Sequence, residues 1–221
     1  MATNQISALF KQAVTTFTCK KEIFHQNLEI LRAVLDKITA DDVDLQPQFM
    51  KETLWTRPNK APVTYIDIYE DQHVTMGIFI LKPGMRLPLH DHPHMYGLIK
   101  VIAGCLKITS FSLNSENAPL NKYVHPTNLI EQDSIIAKRD ADVIVDISSE
   151  PCLLDPRRGN LHEIESLNGP AAFLDVLSPP YETTIVGNGP RKCTYYQVIK
   201  EIEPHIFKLE KVDAPSWFWN D

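Results

Sequence analysis

A chain of 221 residues suits one domain with room for a packed core, or one domain plus a short helical extension. A hydrophobic fraction of 43% and a charged fraction of 23% are those of an ordinary globular protein. The formal net charge of -6 argues against a nucleic-acid partner, which calls for a basic face, and leaves neutral or cationic substrates open.

No apolar run is long enough to span a bilayer; the longest, such as Met76 to Leu81, are strand-sized. The N-terminus lacks a basic segment followed by an apolar stretch, so no secretory signal is read there. Cys19, Cys105, Cys152 and Cys193 have neither CxxC nor regular spacing and read as free thiols of a reducing compartment. The expectation is a cytoplasmic monomer with no membrane or nucleic-acid partner.

In chain order, residues 1–45 read as a helical extension to a single domain spanning 1–221. Ile6, Leu9, Phe10 and Phe17 mark one amphipathic stretch, and Leu28, Leu31, Leu35 and Ile38 recur at helical spacing in a second. Thr39 with Asp42 three residues on could open a helical turn. These helices are expected to pack against the outside of a sheet. From Val63 the pattern changes to short segments rich in β-branched and aromatic residues. Strands are predicted at Val63–Tyr69, Met76–Leu81, Leu98–Ala103, Cys105–Ser112, Ala141–Ser148, Ala172–Leu177 and Thr194–Ile199, separated by Pro, Gly, Asn and Asp. Asn114 to Pro126 reads as a long polar loop. Many short strands without helix-length patterns between them indicate a mainly β sandwich or barrel, not a doubly wound parallel sheet.

The stretch carrying chemistry is Gly84-Met-Arg-Leu-Pro-Leu-His90-Asp-His92-Pro-His94. His90 and His92 are two apart in a strand-like segment, so both imidazoles face one side and can converge on one ion. His162, presented by the Pro156-Arg-Arg-Gly159-Asn-Leu-His162 turn, is the third candidate ligand. Neutral imidazole suits iron, zinc, copper or nickel. His94 shares the parity of the pair, but Pro93 breaks the strand before it, which ranks it beside the site or on the surface. Taken together, Gly84-x5-His90-x-His92, Gly104 and the Gly159-x2-His162 turn resemble the two motifs of the cupin superfamily, whose fold is a double-stranded β-helix barrel. The motif's glutamate position is Gly97 here. Three neutral histidines would leave a divalent ion its full charge and open positions, favouring an anionic ligand such as a thiolate.

Longer segments make the resemblance narrower. Pro62-Val-Thr-Tyr-Ile-Asp-Ile-Tyr69, Pro88-Leu-His-Asp-His-Pro93, Asn160-Leu-His162, Gly169-Pro-Ala-Ala-Phe-Leu-Asp-Val-Leu-Ser-Pro-Pro-Tyr181 and Cys193-Thr-Tyr-Tyr196 run in order through residues 30–200. They resemble the family of cysteamine (2-aminoethanethiol) dioxygenases and plant cysteine oxidases, more closely the animal enzymes. The resemblance implies iron(II), dioxygen, and oxidation of cysteamine or of a peptide or protein N-terminal cysteine to a sulfinic acid. It also implies oxygen-dependent marking of protein targets for degradation. Asp175, an acid in the apolar run Ala-Ala-Phe-Leu-Asp-Val-Leu, is costly unless paired or functional. The resemblance favours a role in orienting the substrate amine or relaying protons; an ordinary hydrogen bond to a loop is the alternative. Tyr181 either points its hydroxyl into the pocket or is a surface turn residue. Cys193 and Tyr195 share a strand face by parity, and in the animal members such a Cys-x-Tyr pair can form a thioether; two ordinary core side chains are the alternative. Cys105 and Cys152 are read as thiols without chemistry. Three rival readings stand beside the thiol dioxygenase: a zinc or manganese isomerase or hydrolase on the same barrel, a cupin that binds without turnover, and a free-cysteine dioxygenase. The last needs an arginine for the substrate carboxylate, and Arg86 has the parity of His90.

Overall fold

The computed structural model of the chain describes residues 4–57, 60–113 and 133–215. Helices α1 (Asn4–Thr18) and α2 (Lys21–Leu35) open it, followed by a 3-10 turn (Pro47–Met50) and a short α3 (Glu52–Trp55). The strands are β1 (Val63–Glu70), β2 (Thr75–Leu81), β3 (Arg86–Asp91), β4 (Tyr96–Leu113), β5 (Ser134–Arg139), β6 (Val143–Asp146), β7 (Cys152–Leu154), β8 (Leu161–Ser178), β9 (Thr184–Ile185), β10 (Gly189–Pro190), β11 (Tyr195–Glu203) and β12 (Ile206–Val212). The mainly β architecture is as expected.

β4 and β8, each 18 residues long, pair antiparallel and form the spine. The order β8-β3-β11-β12-β5-β4 closes on itself through the β4–β8 ladder, so six strands make a barrel without a free edge inside the ring. β2 and then β1 continue outward from β8, and β6 and β7 pair with β4. Alternation along β8 divides its residues between two environments. Phe173 is in an interior cluster with Leu87, Ile99, Val101 and Ile164. Leu174 and Val176 face the other way, where Met76, Ile78 and Leu98 join Leu9, Leu31 and Leu35 of the helices. Burial on both faces explains the near-continuous apolar run there. The helices therefore cover the outside of the sheet, as their patterning predicted. No helix among the described residues is long and apolar enough to cross a membrane.

Several boundaries differ from those read in the sequence. Leu98–Ala103 and Cys105–Ser112 are one strand; Gly104, at φ +74°, carries an irregularity within β4 instead of ending it. Pro170 O and the Ala171 backbone lie where a Cβ at Gly104 would go, so only glycine fits. The strand predicted at Ala141–Ser148 is shorter because Asp146 Oδ1 accepts from the Ser148 amide and turns the chain. β5 and β12 have no counterpart among the predicted strands. Asp42 accepts from both the amide and hydroxyl of Thr39, but this pair closes a turn and starts no helix. Ile38 lies past the end of α2 and is buried all the same. The polar loop predicted at Asn114–Pro126 lies outside the described residues.

A buried lysine fastens the helices to the barrel. The Lys100 side chain is 5% exposed, and its ammonium donates to Asp36 (2.8 Å), Ile147 O (3.1 Å) and Ser149 O (2.7 Å). Lys100→Met keeps the volume but leaves these acceptors without their donor. We expect a loss of about 2 kcal/mol, seen in thermal melts as a fall of roughly 4–8 °C for a chain this long.

Candidate metal centre and its pocket

His90 on β3 lies directly opposite His162 on β8. Opposed residues hold their side chains within reach of each other, and the two ring centroids are 4.9 Å apart. The His92 ring, just past the end of β3, is 4.8 Å from His90 and 4.7 Å from His162. One ligand atom from each of the three falls within 4.8 Å of the others. Gly159, at φ +59°, makes the turn that delivers His162.

Two rings are fixed from behind. Nδ1 of His90 lies 2.7 Å from Pro88 O, and Nδ1 of His92 lies 2.9 Å from Asn160 O. A carbonyl only accepts, so Nδ1 carries the proton in both and Nε2 is the ring nitrogen free for an ion. Asn160, 2% exposed, also grips the His92 backbone, its Nδ2 donating to His92 O at 2.8 Å and its Oδ1 accepting from the His92 amide at 3.3 Å. Burial pushes His90 down to about 4 and, with the neighbouring His90, His92 down to about 3. Burial and the other two rings hold His162 well below the usual range. All three are neutral at pH 7, the form in which imidazole binds metal. A neutral three-nitrogen set, two of its rings fixed from behind, fits one divalent transition ion.

Gly97 is closed to a fourth, acidic ligand. A Cβ there would stand 2.8 Å from Leu177 Cδ2 and 3.0 Å from Leu154 Cγ, so leucines fill the space a glutamate arm would need. His94 is exposed, with φ +56°, and stands apart from the cluster.

His90 faces a cavity of about 240 Å³, also lined by Asp175, Tyr181, Cys193 and Tyr195 between Phe79, Leu87 and Leu177. All four residues singled out for catalysis thus meet at one pocket. Asp175 is 8% exposed, and its Oδ1 has no hydrogen-bond partner among the described residues. Burial, opposed by the Val176 amide, raises its carboxyl to about 7. Tyr181 donates its hydroxyl to Asp91 O at 2.6 Å, and its ring lies 5.7 Å from that of His92. Cys193 is a free thiol within hydrogen-bonding reach of both Tyr181 and Tyr195, and burial pushes it up to about 12. Asp91, which the sequence reading passed over, ties the pocket together. Its Oδ1 accepts from the Thr194 amide (2.8 Å) and its Oδ2 from the Tyr196 hydroxyl (3.2 Å), which holds β11 against the histidine strand.

Arg86 does not share the face of His90. The β3–β8 register slips by one residue between Leu87 and His90, and this inverts the parity counted along the sequence. Leu87 therefore lines the cavity, and Arg86 points outward to Glu163 at 3.1 Å. Among the described residues neither Lys nor Arg lines the cavity.

A closed β-barrel with three clustered histidines, two buried and His90 half-buried, placed to hold one ion defines a metal-binding barrel protein with a carboxylate-free centre. The family model PCO_ADO matches residues 34–219, and the chain belongs to that family. It is 34% identical over 205 residues to 2-aminoethanethiol dioxygenase of Mus musculus, covering 89% of this chain and 77% of that one. The Homo sapiens protein of the same name is 34% identical over 208 residues, covering 89% and 74%. Plant cysteine oxidase 2 of Arabidopsis thaliana is 31% identical over 172 residues, covering 77% and 57%.

Proposed function

We propose that the protein is a thiol dioxygenase, an oxidoreductase that adds both atoms of dioxygen to the sulfur of cysteamine or of an N-terminal cysteine, giving a sulfinic acid. We further propose that the whole chain, 1–221, acts as one domain with residues 1–45 as its helical extension, and that the ion is iron(II), held by His90, His92 and His162. The observation that carries this reading is a neutral three-histidine set whose His90 lines the same small pocket as a buried acid with an unpartnered oxygen. When bound, the ion supplies the redox chemistry by which dioxygen reacts with a thiolate. The chain's own groups do the rest. Asp175 accepts from the substrate ammonium and, with its carboxyl near 7, can hold or release a proton there. Phe79, Leu87 and Leu177 keep water from the reacting sulfur. Tyr181, anchored on Asp91 O, narrows the pocket beside His92. Substrates whose N-terminal cysteine begins a protein would link the protein's fate to oxygen, in line with the family resemblance.

Free cysteine is a poorer fit. Its carboxylate would enter a pocket lined, among the described residues, by no lysine or arginine, and beside Asp175; an unpaired buried charge costs several kcal/mol, roughly. Anaerobic iron loading, then oxygen with cysteamine, a Cys-starting peptide or free cysteine, read by mass spectrometry, tests the proposal. We expect the first two to exceed free cysteine in kcat/KM by at least about tenfold, a difference of ~1.4 kcal/mol. Dominance of free cysteine would make the protein a free-amino-acid enzyme instead.

The contact between Cys193 and Tyr195 supports one smaller proposal. With dioxygen as oxidant, Sγ of Cys193 joins a ring carbon of Tyr195, the S–H and ring C–H bonds break, and the two hydrogens and two electrons reduce one dioxygen to hydrogen peroxide. Intact mass after prolonged turnover checks it; both residues recovered unmodified in peptide maps would rule the join out.

A further inference from the structure

The cavity beside His90 does not end at Asp175. It runs across β2 to the outer strand β1, where Tyr65 and Glu70 form its far wall. The register gives the layout. Asp175 pairs with Gly77, and Gly77 pairs with Asp67; Glu70 pairs with Thr75, whose partner on β8 is Leu177. With strands about 4.8 Å apart and residues about 3.3 Å apart along each, the Glu70 backbone stands about 12 Å from that of Asp175.

Between the two acids the Tyr65 ring lies over Gly77, in the space a side chain at that position would need. Tyr65 itself is 44% exposed. Burial raises its hydroxyl, a hydrogen bond with Thr75 opposes this, and Asp67, Asp175 and Glu70 add to it, so three carboxylates act at one ring. No cationic side chain answers them along the cavity wall, and the Glu70 carboxylate forms no ion pair among the described residues. The inner end holds an acid more than nine-tenths buried with one oxygen unpartnered. A ligand that satisfies the whole groove therefore carries two positive groups, one deep and one at the rim.

We propose that Glu70, with the Tyr65 ring beside it, selects peptides in which a lysine or arginine directly follows the N-terminal cysteine. This rests on the thiol dioxygenase reading and extends it to the second residue of the substrate. The α-ammonium goes to Asp175. An extended chain then advances about 3.4 Å per residue, and a long cationic side chain spans the remaining distance to Glu70 across the face of Tyr65, where an aromatic ring adds to the attraction.

Four substrates decide it: cysteamine and three peptides identical except for Lys, Ala or Glu after the N-terminal cysteine. In the wild type at low salt, kcat/KM should fall in the order Lys, Ala, Glu. The Lys and Ala peptides should differ by about fivefold, as suits a partly exposed pair, with the difference in KM. The preference should shrink as salt rises to ~0.5 M, because exposed pairs are screened. Glu70→Gln should remove the preference and Glu70→Lys should reverse it. Equal efficiencies in the wild type at low salt, or a preference that survives Glu70→Gln, overturns this inference alone. Failure to oxidise any of the four, cysteamine included, overturns the thiol dioxygenase reading beneath it.

Discussion

His162→Ala is expected to lose nearly all iron and nearly all turnover. Among the described residues the ligand set has no reserve: Gly97 is walled by Leu177 and Leu154, and His94 is exposed and outside the cluster. Removing even a residue that only orients a ligand costs about 10–100-fold in metal affinity or activity, so loss of a ligand should exceed that. Metal content after anaerobic loading and oxygen uptake with cysteamine are the two measurements. A third separates ligation from folding. An ion that binds only the folded state stabilises it by mass action, so iron(II) should raise the melting temperature of the wild type and leave His162→Ala unmoved. Full iron occupancy in the variant would defeat the three-histidine assignment. The sign of the pH effect is set by burial. Unfolded imidazoles take up protons near pH 6.5, whereas His90 and His92 resist to about 4 and about 3. The apoprotein therefore holds this stability above pH 6.5 and loses it as pH falls toward 4. Bound iron, competing with protons for the same nitrogens, should leave over the lower part of that range.

The parts of this architecture that could be read from the sequence share one property: their signal is local. Leu28, Leu31 and Leu35 mark a helix face within three turns, and His90 and His92 announce themselves by adjacency. Asp175 stood out because an acid among Ala, Phe, Leu and Val violates the pattern around it, and the structure puts it in the pocket with its Oδ1 unpartnered. What escaped depends on register between strands distant in sequence. The parity that placed Arg86 beside His90 was sound for an unbroken strand; a one-residue slip against β8 inverts it. β11 was met in part by the strand predicted at Thr194–Ile199, whereas β5 and β12 are short partners that close the ring, and neither carries the apolar run that marks β8. Asn160 grips the His92 backbone, and Asp91 accepts from the Thr194 amide and, through its carbonyl, from the Tyr181 hydroxyl; no side-chain pattern reveals such bonds to the backbone. Glu70 lies at the end of an outer strand and looks like any solvent-facing acid until the cavity reaches it.

Asp175→Asn should lower turnover and raise stability together, and that combination separates a functional acid from a structural one. The substitution keeps the side chain's shape and removes its charge. If the carboxylate receives the substrate ammonium or moves a proton, kcat/KM should fall by about a hundredfold or more in a protein that still folds and loads iron. The stability effect follows from burial. An unfolded aspartate titrates near 3.9, and in the fold burial raises Asp175 to about 7. A folded pKa above the unfolded value means that its contribution is intact below about pH 4 and is lost as pH rises through 7. The resulting penalty is on the order of 4 kcal/mol at pH 8. Removing the charge should therefore raise the melting temperature of the metal-free protein at pH 8 by at least about 5 °C and change little at pH 4. Asp91, raised to about 6, and the depressed histidines titrate over overlapping ranges, but both proteins carry them, so the difference between the two melting curves isolates Asp175. The same proton should appear in catalysis. Wild-type kcat/KM should rise with pH through an ionisation near 7, as the acid becomes able to hold an ammonium, and this limb should vanish in Asp175→Asn. Wild-type turnover in the variant, with no change in the pH profile, would make Asp175 part of the framework. Melting curves that coincide at pH 8 would instead mean that water reaches its unpartnered oxygen.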